Sequence, residues 1–287
     1  MGTAMSKNFN QLIHDAAVAP WNLAVEPFKV APRIYYVGNV WVGAYLIDTE
    51  EGLILLDASV FETAYQLIDS IYQLGFDPHN IKHIMVSHFH FDHNGAAKAL
   101  RELTGAKVWM SKTDADLRTH PSNLAIARGK DAPYSLANAM DHEVDCYYEE
   151  GKVMQFGSVT IQPILTPGHT PGAISFIITM PDENGKTLVA AMHGGVGPIT
   201  MTDETYEELG VPNLRPRFIA DCDELKKIHV DIAIPSHPSH GNLMERRGGD
   251  PKDYHKLIDE TEWPKFLEER KQFIIKFDAE QKEKHKT

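Results

Sequence analysis

The chain has 287 residues, 43% of them hydrophobic, with 28 basic against 40 acidic side chains and a net charge of −12. That length buries a substantial core in one large α/β domain or two small ones, and the acidic balance argues against binding nucleic acid through a basic surface. With 15 histidines but only two cysteines, Cys146 and Cys222, a disulfide framework and a Cys-x-x-Cys zinc site are both excluded, so any metal must be held by imidazole and carboxylate.

Residues 1–32 read as irregular, with Pro20, Pro27 and Pro32 breaking any helix; 1–20 are taken as a lead-in and 21–287 as one domain. Residues 1–15 lack the apolar stretch of a secretory signal. Apolar runs such as 53–56 and 188–192 are far too short to cross a bilayer. The expectation is a cytoplasmic protein with no membrane partner, or a periplasmic or secreted one if a leader has been removed.

Strands are predicted over 33–37, 40–48 and 53–57, with a hairpin turn at Glu50-Glu51-Gly52. Ala64, Leu67, Ile68, Ile71 and Leu74 recur at helical spacing, which predicts a helix over 60–74 ended by Gly75. A buried strand over 81–87 runs straight into His88-Phe89-His90-Phe91-Asp92-His93. A helix follows from Asn94, then a short strand over 107–110. The stretch 120–145 reads as a long surface loop, a kind that more often carries function than not. The second half predicts strands over 159–165, 173–178, 188–192 and 231–235 and a helix over 218–229. A charged helix over 251–277 closes the chain, burying Leu257, Trp263, Phe266 and Phe273. Two β-rich layers covered by helices fit this order.

The histidines assemble just past the strand 81–87. In extended backbone, side chains two apart project to the same side, so His88 and His90 can reach one metal ion. Asp92 and His93 can face a neighbouring one as the chain bends at Asn94-Gly95. Four residues cannot complete two sites, so further ligands must come from elsewhere. His169 lies between two Pro-Gly pairs in Thr166-Pro167-Gly168-His169-Thr170-Pro171-Gly172, where a tight loop holds its ring. His237, in Ser236-His237-Pro238, follows the strand 231–235, with His240 as its competitor.

The set HFHFDH, TPGHTPG and SHP, in this order, resembles the metallo-β-lactamase superfamily, over roughly residues 21–273. It looks most like the third subclass of the class B β-lactamases, whose ligands are histidines and one aspartate. The resemblance implies an αββα sandwich of two mixed sheets with helices outside and metals at one edge. It implies one zinc on His88, His90 and His169 and a second on Asp92, His93 and His237. Asp57, in LLDAS, matches the family's strand-end aspartate that supports the histidine loop from behind.

One departure stands out. Many dinuclear members place a metal-bridging aspartate after the strand that corresponds to 188–192, whereas this chain reads Met192-His193-Gly194-Gly195-Val196-Gly197. The subclass resembled also lacks that aspartate but generally carries a serine there. His193 is left as an extra ligand, a hydrogen-bonding group beside the site, or an ordinary strand-end residue. The implied chemistry is attack of a zinc-bound hydroxide on a cyclic amide, a β-lactam above all, with Asp92 holding the nucleophile. The alternatives are a lactone, ester or thioester substrate on the same fold, and, from another class, a diiron or binding protein. A site made positive by two zinc ions suits a small, carboxylate-bearing substrate, with 120–145, 193–202 and Trp21 as candidate contacts.

Overall fold

The computed structural model describes residues 9–120 and 140–284. Residues 121–139 of the predicted 120–145 loop lie outside the described residues. The first sheet holds β1 (Phe28–Ala31), β2 (Ile34–Tyr36), β3 (Tyr45–Asp48), β4 (Leu53–Leu56), β5 (Ile81–Met85), β6 (Lys107–Met110) and β7 (Cys146–Tyr147), in that spatial order. It is antiparallel from β1 to β4 and parallel from β4 to β7. The second holds β8 (Met154–Phe156), β9 (Val159–Leu165), β10 (Ile174–Pro181), β11 (Thr187–Met192) and β12 (Ile232–Ala233), in the order β12-β11-β10-β9-β8.

The helices are α1 (Phe9–Val18), α2 (Ala64–Gln73), α3 (Phe91–Asn94), α4 (Ala97–Thr104), α5 (Lys112–Leu117), α6 (Asp203–Glu208), α7 (Arg215–Leu225), α8 (Leu243–Arg246) and α9 (Glu262–Lys284). Three apolar layers explain how they stack. Between the sheets, Ile34, Tyr45, Ile54 and Met85 of the first meet Ile161, Phe176, Ile178 and Ala190 of the second. Outside the first sheet, Leu67 and Ile71 of α2 and Leu100 of α4 cover Leu55, Ile84 and Val108. Outside the second, Phe218 and Cys222 of α7 and Trp263, Phe266 and Ile274 of α9 cover Ile177, Ala191 and Ala233. The result is the αββα sandwich of two mixed sheets.

This topology assembles the site. Strands β4 and β5 are parallel neighbours. β9 and β11 both run antiparallel to β10, and β12 runs parallel to β11. The C-terminal ends of β4, β5, β9, β11 and β12 are followed by Asp57, His88–His93, His169, His193 and His237 respectively.

Three local readings change. The lead-in contains α1, because Pro20, Pro27 and Pro32 all lie beyond its end; Leu12, Ile13 and Ala16 pack with Leu23, Trp41, Val42 and Val60. Residues 38–44 are a tight loop instead of the first half of a strand. Asn39 Oδ1 accepts from the backbone N–H groups of Trp41 and Val42, each at 2.9 Å, an Asx-type closure that competes with a β ladder. In α9 the buried face runs through Trp263, Phe266, Leu267 and Ile274, a helical stripe that leaves Phe273 44% exposed.

The outer helices are tied to the site's edge by Arg215. It is buried, donates from Nε to Asp278 Oδ1 at 2.7 Å and from Nη1 to the Met201 carbonyl at 2.7 Å, and pairs through Nη2 with Asp203. Arg215→Ala leaves these acceptors short of a partner in a low-dielectric setting. We expect a loss of about 3 kcal/mol in denaturant unfolding, and a loss below about 0.5 kcal/mol would contradict the role given to this residue.

Candidate metal centre

The turn after β5 brings His88 and His90 inward and feeds directly into α3, which carries Asp92 and His93. His88 and His93 are fully buried, and His90, Asp92 and His169 each retain 7% exposure. Ligand atoms of His88, His90 and His169 lie within 4.8 Å of one another, as do those of His88, Asp92 and His93. His237 joins the second group: its Nε2 is 3.2 Å from His93 Nε2 and 3.5 Å from Asp92 Oδ2, which is 3.7 Å from His93 Nε2.

Hydrogen bonding decides what these rings present to one another. His169 Nδ1 donates to the Gly197 carbonyl and His237 Nδ1 to the Trp41 carbonyl, each at 2.7 Å; a carbonyl can only accept, so the proton is on Nδ1 in both. His93 Nδ1 donates to Asp57 Oδ2 at 2.7 Å. Ser87 Oγ donates to the same oxygen at 2.8 Å, which leaves it to accept from His88 Nδ1 at 2.9 Å. In the neutral rings, all four Nε2 atoms therefore carry lone pairs. His88 Nε2 is buried without a hydrogen-bond partner. His93 and His237 face each other with two lone pairs and no proton between them. His169 Nε2 meets His90 Nδ1 at 2.9 Å. Buried lone pairs turned on one another call for a cation, and neutral imidazole with carboxylate is a donor set suited to zinc.

The electrostatics agree. Burial, then the neighbouring imidazoles, hold His88 and His90 well below the usual histidine range. Burial lowers His237 and takes His169 down to about 4. His93 differs: burial pushes it down, but the Asp92 and Asp57 carboxylates outweigh that and leave it raised.

Asp57 stands behind the cluster. It is fully buried, has a left-handed backbone (φ 60°), and accepts from the Ser87 N–H at 2.7 Å as well as from Ser87 Oγ and His93. His240 sits beside His237 with ring centroids 5.1 Å apart, and burial takes it down to about 2. His193 is 1% exposed and packs on Phe218 at 5.2 Å. Trp21 is 65% exposed and lines a separate hollow.

Sequence reasoning misses Asp114. Its carboxylate accepts from Phe89 N at 3.0 Å, Thr170 Oγ1 at 2.7 Å and Gly172 N at 2.6 Å. It thereby ties the His88–His90 turn to the loop that carries His169. Burial raises it to about 7 against the pull of those donors. Its one sequence signal, Ser111-Lys112-Thr113-Asp114, reads as a helix N-cap, and Ser111 does cap α5 there.

The cluster forms the floor of a cleft of about 620 Å³, reached by His90, Asp92, His169 and His237. Its walls are mainly apolar, from Leu12, Phe91, Val196, Ile199 and Phe277, with Thr202, Ser239 and His240 as polar members. No lysine or arginine is among the described lining residues.

A family model for the metallo-β-lactamase superfamily matches residues 42–237. The chain belongs to that superfamily. It has the metallo-β-lactamase fold, in a family that binds metal, typically zinc. Among solved structures, a subclass B3 metallo-β-lactamase of Bradyrhizobium japonicum superposes with a TM-score of 0.77 at 24% identity, covering 93% of this chain and 98% of that one. The metallo-β-lactamase GOB-18 of Elizabethkingia meningoseptica gives 0.76 at 26% identity, covering 96% and 97%. An N-acyl homoserine lactonase of Agrobacterium fabrum is 29% identical over 167 residues, which are 57% of this chain and 58% of the lactonase. A hydroxyacylglutathione hydrolase of Haemophilus influenzae is 26% identical over 208 residues, 71% of this chain and 88% of that enzyme. Among the described residues, no helix of this superfamily member is long and apolar enough to cross a membrane.

Two outcomes are expected from this geometry. Asparagine at position 114 keeps one acceptor oxygen and turns an amide N–H₂ toward a donor. Asp114→Asn should therefore lower both the thermal midpoint and the zinc affinity of the His88/His90/His169 group, by about 10–100-fold for the latter; unchanged zinc titrations would contradict this. The second concerns acid. Folded-state values lowered by burial in His88, His90, His169, His193, His237 and His240 mean that the unfolded chain binds protons the folded chain refuses. Their contribution is complete above about pH 6.5 and is lost as pH falls below it. His93, raised, works in the opposite sense. The metal-free protein should show a thermal midpoint that drops steadily from pH 6.5 to about 4, and a flat profile would contradict the burial of these imidazoles in neutral form.

Proposed function

We propose that this chain is a zinc-dependent hydrolase that opens a cyclic amide, a β-lactam ring above all, by adding water across the carbonyl–nitrogen bond. The observation that supports this most directly is the ring of inward lone pairs on the cleft floor. His88, His90 and His169 would hold one zinc, and Asp92, His93 and His237 a second. Zinc there supplies Lewis acidity toward a carbonyl oxygen and acidifies water to a pKa near 7.

The chain's own contribution is positional. Asp92 directs Oδ2 at His93 and His237, leaving Oδ1 to accept a hydrogen bond from the attacking water and aim it at the carbonyl carbon. The water oxygen bonds to that carbon, the C–N bond breaks, and the released proton ends on the leaving nitrogen. Asp57 and Asp114 hold the histidine-bearing loops in register while this happens. Neither cysteine is suited to replace water as nucleophile: Cys222 is on the buried face of α7, where burial pushes its thiol up to about 12, and Cys146, in β7, is not among the described lining residues of the cleft.

The lack of a carboxylate in residues 190–197 supports a cyclic amide over substrates of the bridged dinuclear enzymes. A substrate carboxylate would be met by the metals themselves and by Thr202 and Ser239, in the absence of lysine or arginine among the described lining residues. One observation favours a second reading. The apolar walls suit a lactone, ester or thioester with an uncharged acyl group, and the chain is similar to relatives named as an N-acyl homoserine lactonase and a hydroxyacylglutathione hydrolase.

The test is a substrate panel on zinc-loaded protein. Nitrocefin and a carbapenem should be opened, chelator should stop the reaction, and added zinc should restore it. Metal analysis should find about two zinc ions per chain. His88→Ala should abolish turnover, and His240→Ala should leave most of it. Turnover of lactones or esters with none of the β-lactams would select the second reading.

A further inference from the structure

The segment 193–200 touches His169 on three sides. On the Cδ2 side, Gly195 presents a bare Cα: a Cβ added there would stand 2.2 Å from His169 Cδ2 and 2.8 Å from Cγ. At the ring edge, the Gly197 carbonyl accepts the Nδ1 proton at 2.7 Å. At the backbone, Thr200 Oγ1 donates to the His169 carbonyl at 2.5 Å. The segment is itself pinned to β10. A Cβ on Gly194 would meet the Ile174 carbonyl oxygen at 2.2 Å, and the Gly194 N–H donates to Ser175 Oγ at 3.2 Å. His193 closes the turn with its own side chain, since its Nδ1 accepts the Gly195 N–H at 3.3 Å. That acceptance places its proton on Nε2, a buried atom with no hydrogen-bond partner.

We propose that His193-Gly194-Gly195 is a seat for His169, in which His193 and Gly195 act as positioning residues that set the metal affinity of the His88/His90/His169 group alone. The reading rests on the metal centre proposed above. It accounts for both unusual features of the stretch. Glycine at 195 is required because His169 Cδ2 and Cγ stand where a Cβ would go, and any side chain would push the ring out of line. His193 is required as an acceptor two residues before the peptide it fixes, much as an aspartate or asparagine closes an Asx turn. The unpartnered Nε2 sets this apart from a stability device: a residue kept for packing alone would be apolar in that place, because a buried unsatisfied donor destabilises.

The distinction gives the experiment. Zinc titrations by competition with a chromogenic chelator, alongside thermal midpoints of the metal-free proteins, would be run on the full chain and its variants. His169→Ala and His237→Ala first assign the two sites. Gly195→Ala should weaken the site that His169→Ala removes by about 10–100-fold and leave the His237 site at its original affinity. His193→Phe should weaken the same site while the metal-free thermal midpoint holds or rises. His193→Asn, which keeps an acceptor for the Gly195 N–H, should restore affinity toward that of the parent. If His193→Phe and Gly195→Ala bind zinc like the parent at both sites, or weaken both sites alike, the inference is overturned. If the parent binds no zinc at all, the metal centre itself fails, an outcome that no variant comparison could be mistaken for.

Discussion

The arrangement of this site depends on where four imidazole protons sit. A neutral histidine has one N–H and one lone pair, and here the Nδ1 side of His88, His93, His169 and His237 faces a group that accepts. Two of those acceptors are backbone carbonyls, which cannot reverse roles. The Nε2 lone pairs are therefore committed to the interior before any ligand arrives, and His93 and His237 oppose each other at 3.2 Å with nothing to share. Protonation would relieve that repulsion, but burial resists it for all but His93, which has two carboxylates to support its charge. A divalent cation would satisfy the lone pairs together, and the protein's own hydrogen bonds already hold the rings in the geometry such a site needs.

Carbonyl acceptors come from the backbone, and this links the fold to the chemistry. Trp41 offers its carbonyl because Asn39 closes the 38–44 loop; Gly197 offers its own because residues 193–197 are anchored on β10. The carboxylates Asp57 and Asp114 do the same work from the other side. Asp57 collects two donors from Ser87 and one from His93, at the two ends of the histidine turn, and Asp114 joins that turn to the loop after β9. Each of these residues is at the C-terminal end of a strand or in the connection that follows, where parallel neighbours deliver several loops to one edge.

This division also explains what could be read from the sequence. His88, His90, Asp92 and His93 are legible because they are contiguous, and short spacing in one extended segment is a three-dimensional statement. His169 and His237 are legible by their motif context, TPGHTPG and SHP, although no spacing rule connects residue 88 to residue 237. The layered fold follows from alternating strands and helices. Asp114 was not legible, because a local role as part of the α5 N-cap masks its long-range one. The 38–44 loop was misread as strand for a similar reason: its apolar residues follow a strand-like pattern, and only the Asn39 side chain diverts the backbone. The α1 helix was hidden by prolines that in fact lie past its end.

The walls of the cleft obey a different constraint from its floor. The floor comes from residues within 42–237, the stretch that matches the superfamily model, whereas Leu12 and Phe277 are brought in by α1 and α9 from outside it. Those helices carry none of the six candidate ligands. They pack through Ala16 against Trp41 and Val60 at one end, and through Arg215, Asp278 and Trp263 at the other. Arg215 also holds the Met201 carbonyl and Asp203, immediately flanking Thr202 in the cleft lining. The position of the C-terminal helix and the shape of the cleft lip are therefore coupled through one buried guanidinium. Substrate fit can change at Leu12 and Phe277 without touching the 193–200 segment that seats His169, so part of the cleft wall varies independently of the floor.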